Sequence, residues 1–185
     1  ATVTIIVNGP PLAINDLEST QQDVPVTVRV LDNDSDPDND VLSITEVHTV
    51  LTDGSVSINP DGTITYTPSP GFVGIDTFEY TITDGNGGTD TATVTIVVNG
   101  PPVALDDSES TQQDVPVTVS VLDNDSDPDS DALTITEIAT PPSDGTVSIN
   151  PDGTITYTPD SGFVGTDTFE YTITDGNGGT DTATV

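Results

Sequence analysis

One sequence is written twice in this chain. Asn8-Gly9-Pro10-Pro11 returns as Asn99-Gly100-Pro101-Pro102. The shift of 91 residues that joins them also carries 21–28 onto 112–119, 31–38 onto 122–129, 58–68 onto 149–159 and 83–94 onto 174–185. No gap is needed, and roughly four-fifths of the aligned positions are identical. A unit of about 90 residues is large enough to hold its own hydrophobic core, so the repeat is a domain and not one turn of a solenoid.

Within each copy the apolar residues recur at every second position. Val26, Val28 and Val30 alternate with Thr27 and Arg29, and Phe78, Tyr80 and Ile82 alternate with Thr77, Glu79 and Thr81. A period of two is the signature of a half-buried strand. Asn59-Pro60-Asp61-Gly62 between two such runs reads as a hairpin turn. Seven strands are expected in the first copy, at about 12–20, 24–31, 41–48, 54–58, 63–67, 76–83 and 89–98. The predicted fold class is therefore all-β: tandem seven-stranded Ig-like/cadherin-like Greek-key β-sandwiches.

The phase of the repeat sets the expected divisions. Residues 1–7, Ala-Thr-Val-Thr-Ile-Ile-Val, match 92–98, Ala-Thr-Val-Thr-Ile-Val-Val. Residues 1–7 are then the last strand of a preceding repeat, 8–98 the first sandwich, and 99–185 a second that lacks the end of its last strand. The plain reading is an excerpt of a longer array. The sharper one makes 1–7 a donor strand that completes a neighbouring chain, giving a head-to-tail filament of copies.

Charge narrows the functions. Thirty-two Asp plus Glu face a single Arg29 and no lysine, for a net charge of -31. Phosphate backbones and anionic membrane surfaces would be repelled, which argues against nucleic acid and membrane partners. No stretch approaches the roughly 20 apolar residues that span a bilayer. High charge with few aromatics is also a mark of disorder. Here, however, the charges cluster in loops, and the apolar third of the chain is ordered into alternating runs. Cysteine is absent, so there are neither disulfides nor thiolate metal sites.

The densest acidic segment lies between the second and third strands. Asp34, Asp36, Asp38 and Asp40 stand at every second position, as do Asp125, Asp127, Asp129 and Asp131 in the copy. The turn between the last two strands adds Asp84 and Asp175, and the first strand adds Asp16 and Asp107. If each connection reverses direction, these segments share the pole beside Asn-Gly-Pro-Pro, at the joint between repeats. Such all-oxygen sets on Gly- and Pro-shaped loops select Ca2+, which accepts six to eight oxygens at about 2.3–2.6 Å. The strand flanks and the missing closing glutamate exclude an EF-hand.

The order Asn-Gly-Pro-Pro, Val-Leu-x-Asn-Asp-x-Asp-Pro-Asp-x-Asp, Asn-Pro-Asp-Gly-Thr-Ile-Thr-Tyr-Thr-Pro, Gly-Phe-Val-Gly-x-Asp-Thr-Phe-x-Tyr, Asp-Gly-Asn-Gly-Gly resembles the bacterial cadherin-like/Ig-like tandem repeats of large secreted adhesins. The resemblance covers essentially the whole chain. It implies calcium-dependent rigidity and an extender role at the bacterial cell surface. Asp16, Asp34, Asp36, Asp38, Asp40 and Asp84 match positions common in that pattern. Asp32 falls where the family often has another residue and is left out.

Other residues suggest little chemistry. His48 is replaced by Ala139 in the second copy and reads as a strand-end surface residue. Tyr66, Tyr80, Tyr157 and Tyr171 sit at inward positions, with a corner hydrogen bond expected for Tyr80 and Tyr171. The aspartates lie in an open loop without pocket-lining aromatics, so no enzyme is expected. The expected function is a calcium-rigidified extracellular spacer repeat of an adhesin or surface filament, with neighbouring repeats as its partners. A calcium-dependent carbohydrate-binding module and a strand-complemented filament subunit are the alternatives.

Overall fold

A computed structural model describes residues 1–4, 7–48 and 53–185. The chain falls into two units, Ala1–Val98 and Asn99–Val185. The first holds seven strands: β1 (Asp16–Gln21), β2 (Val26–Val28), β3 (Ser43–His48), β4 (Gly54–Ile58), β5 (Ile64–Pro68), β6 (Gly74–Thr83) and β7 (Thr89–Asn99). They form a four-stranded sheet in the order β1-β7-β6-β3 and a three-stranded sheet in the order β2-β5-β4. The chain changes sheet between β1 and β2, β2 and β3, β3 and β4, and β5 and β6, which leaves β4–β5 and β6–β7 as the hairpins. This is the crossover pattern of an Ig-type sandwich.

The alternation read in the sequence is what the core uses. Phe78, Tyr80 and Ile82 of β6 are buried, as are Ala92, Val94, Ile96 and Val98 of β7, and they face Val28, Ile64 and Tyr66 of the other sheet. Tyr66 stacks on Phe78 with ring centroids 6.4 Å apart. Each such side chain contributes about 1.5–3 kcal/mol on burial. The outward threonines stay polar, and several bond across strands, as Thr81 and Thr91 do at 3.1 Å.

Three strands are shorter than the periodicity suggests: the third begins at Ser43 instead of about residue 41, and the other two differ more. The second was expected over 24–31, but its ladder covers only Val26–Val28, after which a single 3-10 turn spans Val30–Asp32. That turn is closed by Asp32 N donating to Arg29 O at 3.1 Å, and it tucks Val30 into the core. The first was expected from about residue 12 and begins at Asp16. Upstream of it, Ala13 N and Ile14 N donate to the carboxylates of Asp90 and Asp34 instead of to a neighbouring strand.

The second unit holds β8 (Val117–Val119), β9 (Thr134–Thr140), β10 (Gly145–Ile149), β11 (Ile155–Pro159), β12 (Glu170–Thr174) and β13 (Thr180–Thr184). Its sheets run β13-β12-β9 and β10-β11-β8. Six strands are described where seven were expected, because residues 106–111 form no counterpart of β1. Asp107 N donates to Thr184 O at 2.9 Å, at the last residue of β13. A cavity of about 590 Å³ lies along this flank, with Val119, Tyr157 and Phe169 in its wall.

Residues 5 and 6, in the segment expected to be the last strand of a preceding repeat or a donor strand to a neighbour, lie outside the described residues. Val3 and Val7 beside them are 82% and 81% exposed. Among the described residues no helix is long and apolar enough to cross a membrane.

Candidate metal centre

The loop between β2 and β3 is organised around one side chain. Asp36 Oδ1 accepts from Asp38 N at 2.8 Å and from Asp40 N at 3.1 Å, while Asn39 N donates back to Asp36 O at 3.1 Å. That curl requires φ of +60° at Asn39, a conformation asparagine tolerates better than most residues. It brings oxygens of Asp36, Asp38 and Asp40 within 4.8 Å of one another. Asp127, Asp129 and Asp131 repeat the arrangement, with Ser130 at φ +66°. In both copies the second oxygen of the central aspartate, Asp36 Oδ2 or Asp127 Oδ2, is buried without a hydrogen-bond partner. A buried carboxylate oxygen lacking a donor, with two more carboxylates beside it, fits a hard cation.

The other expected ligands go to two different places. Asp84 heads the β6–β7 turn: its Oδ1 accepts from Asn86 N and Gly88 N at 2.8 and 2.9 Å, and its Oδ2 from Asn8 Nδ2 at 2.7 Å. The Asn8 carboxamide and these backbone donors hold Asp84 below the usual carboxylate range. Burial pushes the other way at Asp175, yet donors from Asn99, Asn177 and Gly179 outweigh it and leave Asp175 low as well. The turn needs glycine here. A Cβ on Gly88 would collide with Asp84 Oδ2 and come within 2.8 Å of Pro11 Cδ.

Asp16 and Asp34 gather instead around the buried Tyr80 hydroxyl. That hydroxyl lies 3.1 Å from both Asp34 oxygens, 3.1 Å from Ile14 O and 3.3 Å from Val30 O, so one proton serves four acceptors. Burial pushes Asp16 up to about 6, and the Asp34 carboxylate adds to the shift against the nearby Tyr80 and Asn33 donors. Asp16 Oδ2 is likewise buried and without a donor. In the second unit Tyr171 is similarly placed among Asp107, Asp125, Leu105 O and Val121 O.

Three segments distant in sequence thus meet at one pole of each unit. Gly9 N donates to Asp38 Oδ2 at 2.6 Å, and Asn86 Nδ2 to Asp40 Oδ2 at 2.8 Å. Gly100 N with Asp129 and Asn177 with Asp131 do the same in the second unit. The acidic loop therefore holds both the segment by which the chain enters its unit and the β6–β7 or β12–β13 turn. Asn8, Asn86 and Asp90 are the site residues that spacing did not reveal, since Asn8 meets Asp84 across 76 positions and Ala13 meets Asp90 across 77. His48 closes β3, with Nε2 3.3 Å from Thr81 Oγ1.

A bacterial Ig domain profile matches residues 8–97 and again 99–185. The chain belongs to the bacterial Ig domain family. No curated protein matches it. Among solved structures, these bacterial Ig domains are similar to the eight N-terminal Ig domains of the Down Syndrome Cell Adhesion Molecule. That match is 12% identical, covers 96% of this chain and 27% of that one, and has a TM-score of 0.51. Protocadherin gammaB7 EC3-6 matches at 18% identity, 96% and 47% coverage and TM-score 0.39. An endo-fucoidan hydrolase of glycoside hydrolase family 107 matches at 20% identity, 95% and 28% coverage and TM-score 0.38. At these identities the likeness concerns the fold alone. The chain spans about a third or less of the first structures it matches.

Proposed function

We propose that this pair of bacterial Ig domains is a spacer segment of a cell-surface adhesin or surface filament, stiffened by calcium and without catalytic activity. The observation that carries the reading is the donorless, buried Oδ2 of Asp36 beside Asp38 and Asp40, repeated at Asp127. Asp36, Asp38 and Asp40 would hold one cation, and Asp127, Asp129 and Asp131 another. Asp16 and Asp34, with Asp107 and Asp125, offer a second focus around the tyrosine. The bound cation supplies charge neutralisation. The chain does the rest: Asp38 and Asp40, once fixed, hold Gly9 and Asn86, so the entering segment and the turn lose freedom together.

Calorimetric titration of the metal-free protein with calcium, with small-angle scattering on the same samples, tests this. Heat at each unit, higher melting temperatures and a narrower distribution of dimensions are expected. No heat and unchanged scattering would remove calcium from the account.

The cavity beside β13 favours a second reading, assembly by strand addition. In the first unit the end of β7 places Ile96 and Val98 fully inside the core. The matching flank of the second unit would take a strand of the same pattern, from a continuing polypeptide or from residues 1–7 of another copy. Sedimentation of the 185-residue chain against one lacking residues 1–7 distinguishes them. Association that depends on 1–7 supports exchange between copies, and monomers in both samples refute it.

A further inference from the structure

The chain contains four Asn-Gly pairs, and the fold treats them differently. An Asn-Gly bond is chemically weak because glycine, with no Cβ, lets its own backbone nitrogen reach the preceding side-chain amide. At Asn8-Gly9 and Asn99-Gly100 that nitrogen is committed: Gly9 N donates to Asp38 Oδ2 at 2.6 Å and Gly100 N to Asp129 Oδ2 at 2.7 Å. Their asparagine amides are held twice, by Asp84 or Asp175 and by the following carbonyl. Asn99 is also buried.

Asn86-Gly87 is the opposite case. It lies at the exposed tip of the β6–β7 turn, Gly87 has φ +109°, and no hydrogen bond among the described residues engages Gly87 N. One contact restrains the Asn86 amide, its 2.8 Å bond to Asp40 Oδ2. Asn177-Gly178 has the same backbone form and the same bond, to Asp131.

We propose that Asn86 is a self-modifying site whose deamidation releases the turn from the acidic loop. The Gly87 nitrogen attacks Asn86 Cγ. The new C–N bond closes a succinimide as the Gly87 nitrogen gives up its proton, and the bond from Cγ to the side-chain nitrogen breaks, that nitrogen taking up a proton and departing as ammonia. Water then opens the ring at either carbonyl, giving aspartate or isoaspartate. The product replaces the amide donor facing Asp40 with a carboxylate, so an attraction becomes a repulsion beside Asp36, Asp38 and Asp40. This repulsion is that of the metal-free loop, which is why the test below is made in chelator.

The test is to incubate the intact protein in mildly alkaline buffer with chelator and map the products by mass spectrometry and isoaspartyl methyltransferase labelling. Asn86 should convert at least about tenfold faster than Asn8 and Asn99, the ratio for one charge-assisted hydrogen bond that must break first. In denaturant that gap should close. Asn86→Gln should abolish the fast product, and modified protein should show faster amide exchange at Asn86 and Gly88. Equal rates in the folded protein, a gap that persists in denaturant, or unchanged exchange after modification would each overturn the proposal.

Discussion

The Tyr66 hydroxyl donates to Asp76 Oδ2 at 2.8 Å, with Tyr66 fully buried and Asp76 only 4% exposed. Its copy, Tyr157 to Asp167 at 2.9 Å, is only partly buried and stands at the flank of the cavity. The same two residues therefore make the same bond in a dry setting and in a wet one. Stacking of the rings on Phe78 and Phe169 is unchanged, at 6.4 Å in both.

Removing the hydroxyl should expose that difference. Tyr66→Phe leaves a buried carboxylate oxygen short of its donor, at a cost of about 2 kcal/mol, which lowers the melting of the first unit by roughly 10 °C. Tyr157→Phe lets water replace the donor and should cost less than half as much. Scanning calorimetry reads both, and equal shifts would mean that burial does not set the strength of the pair.

Asp36→Asn keeps the oxygen that accepts from Asp38 N and Asp40 N but removes the charge opposite the other two carboxylates. Calcium affinity at the first unit should fall at least about tenfold, or about 1.4 kcal/mol, while the second unit stays unaffected. Asp127→Asn should give the mirror result. Isothermal titration of both variants checks the assignment of one site to each loop.

Acidity follows from Asp16. Its folded value is raised to about 6, above its ordinary one, so the folded state binds more protons than the unfolded across that interval. Stability in chelator should therefore fall as pH rises from about 4 to about 6. Asp34 and Asp107, both raised by burial, act in the same sense. Asp84 and Asp175 are lowered, so their contribution is lost only below about pH 4. Metal-free thermal melts should peak near pH 4 to 5 and flatten in Asp16→Asn, whereas a peak at neutral pH would contradict the burial of Asp16.

Gly88→Ala tests the turn against its own aspartate. The added methyl collides with Asp84 Oδ2, and the neighbouring Pro11 leaves it little room to move. A loss of about 1–3 kcal/mol confined to the first unit is expected, read by denaturant unfolding.

The strands were legible because one period governs both burial and sequence, so Phe78, Tyr80 and Ile82 declare their sheet face without help. The acidic loop was legible for the same reason, with its aspartates at alternate positions. What spacing hides is how a carboxylate is engaged. Asp34, Asp36 and Asp84 look alike in sequence, yet one receives a tyrosine hydroxyl, one curls its own loop, and one organises a turn through Asn8. The first and the last of these rest on contacts between residues 46 and 76 positions apart, which no local pattern encodes, whereas the curl at Asp36 is made within four residues. The short second strand was hidden because Val30 has the apolar character of a strand residue and is buried equally well from a 3-10 turn.

The flank of the second unit gives the last prediction. Extending the chain past Val185 by Thr-Ile-Val-Val, the residues that follow Val94, supplies counterparts of the fully buried Ile96 and Val98. Their burial, about 1.5–3 kcal/mol each, is opposed by ordering four residues at about 1–2 kcal/mol apiece, so the melting temperature should change little. Hydrogen exchange is the sharper measurement. Residues 107–111 should gain protection as they pair with the added strand and become the missing counterpart of β1. An extension with aspartate in place of its isoleucine and last valine should not protect them, because it cannot enter the apolar wall of Val119 and Phe169. If both extensions protect equally, backbone pairing alone governs the flank and the alternating apolar pattern plays no part in selecting its strand.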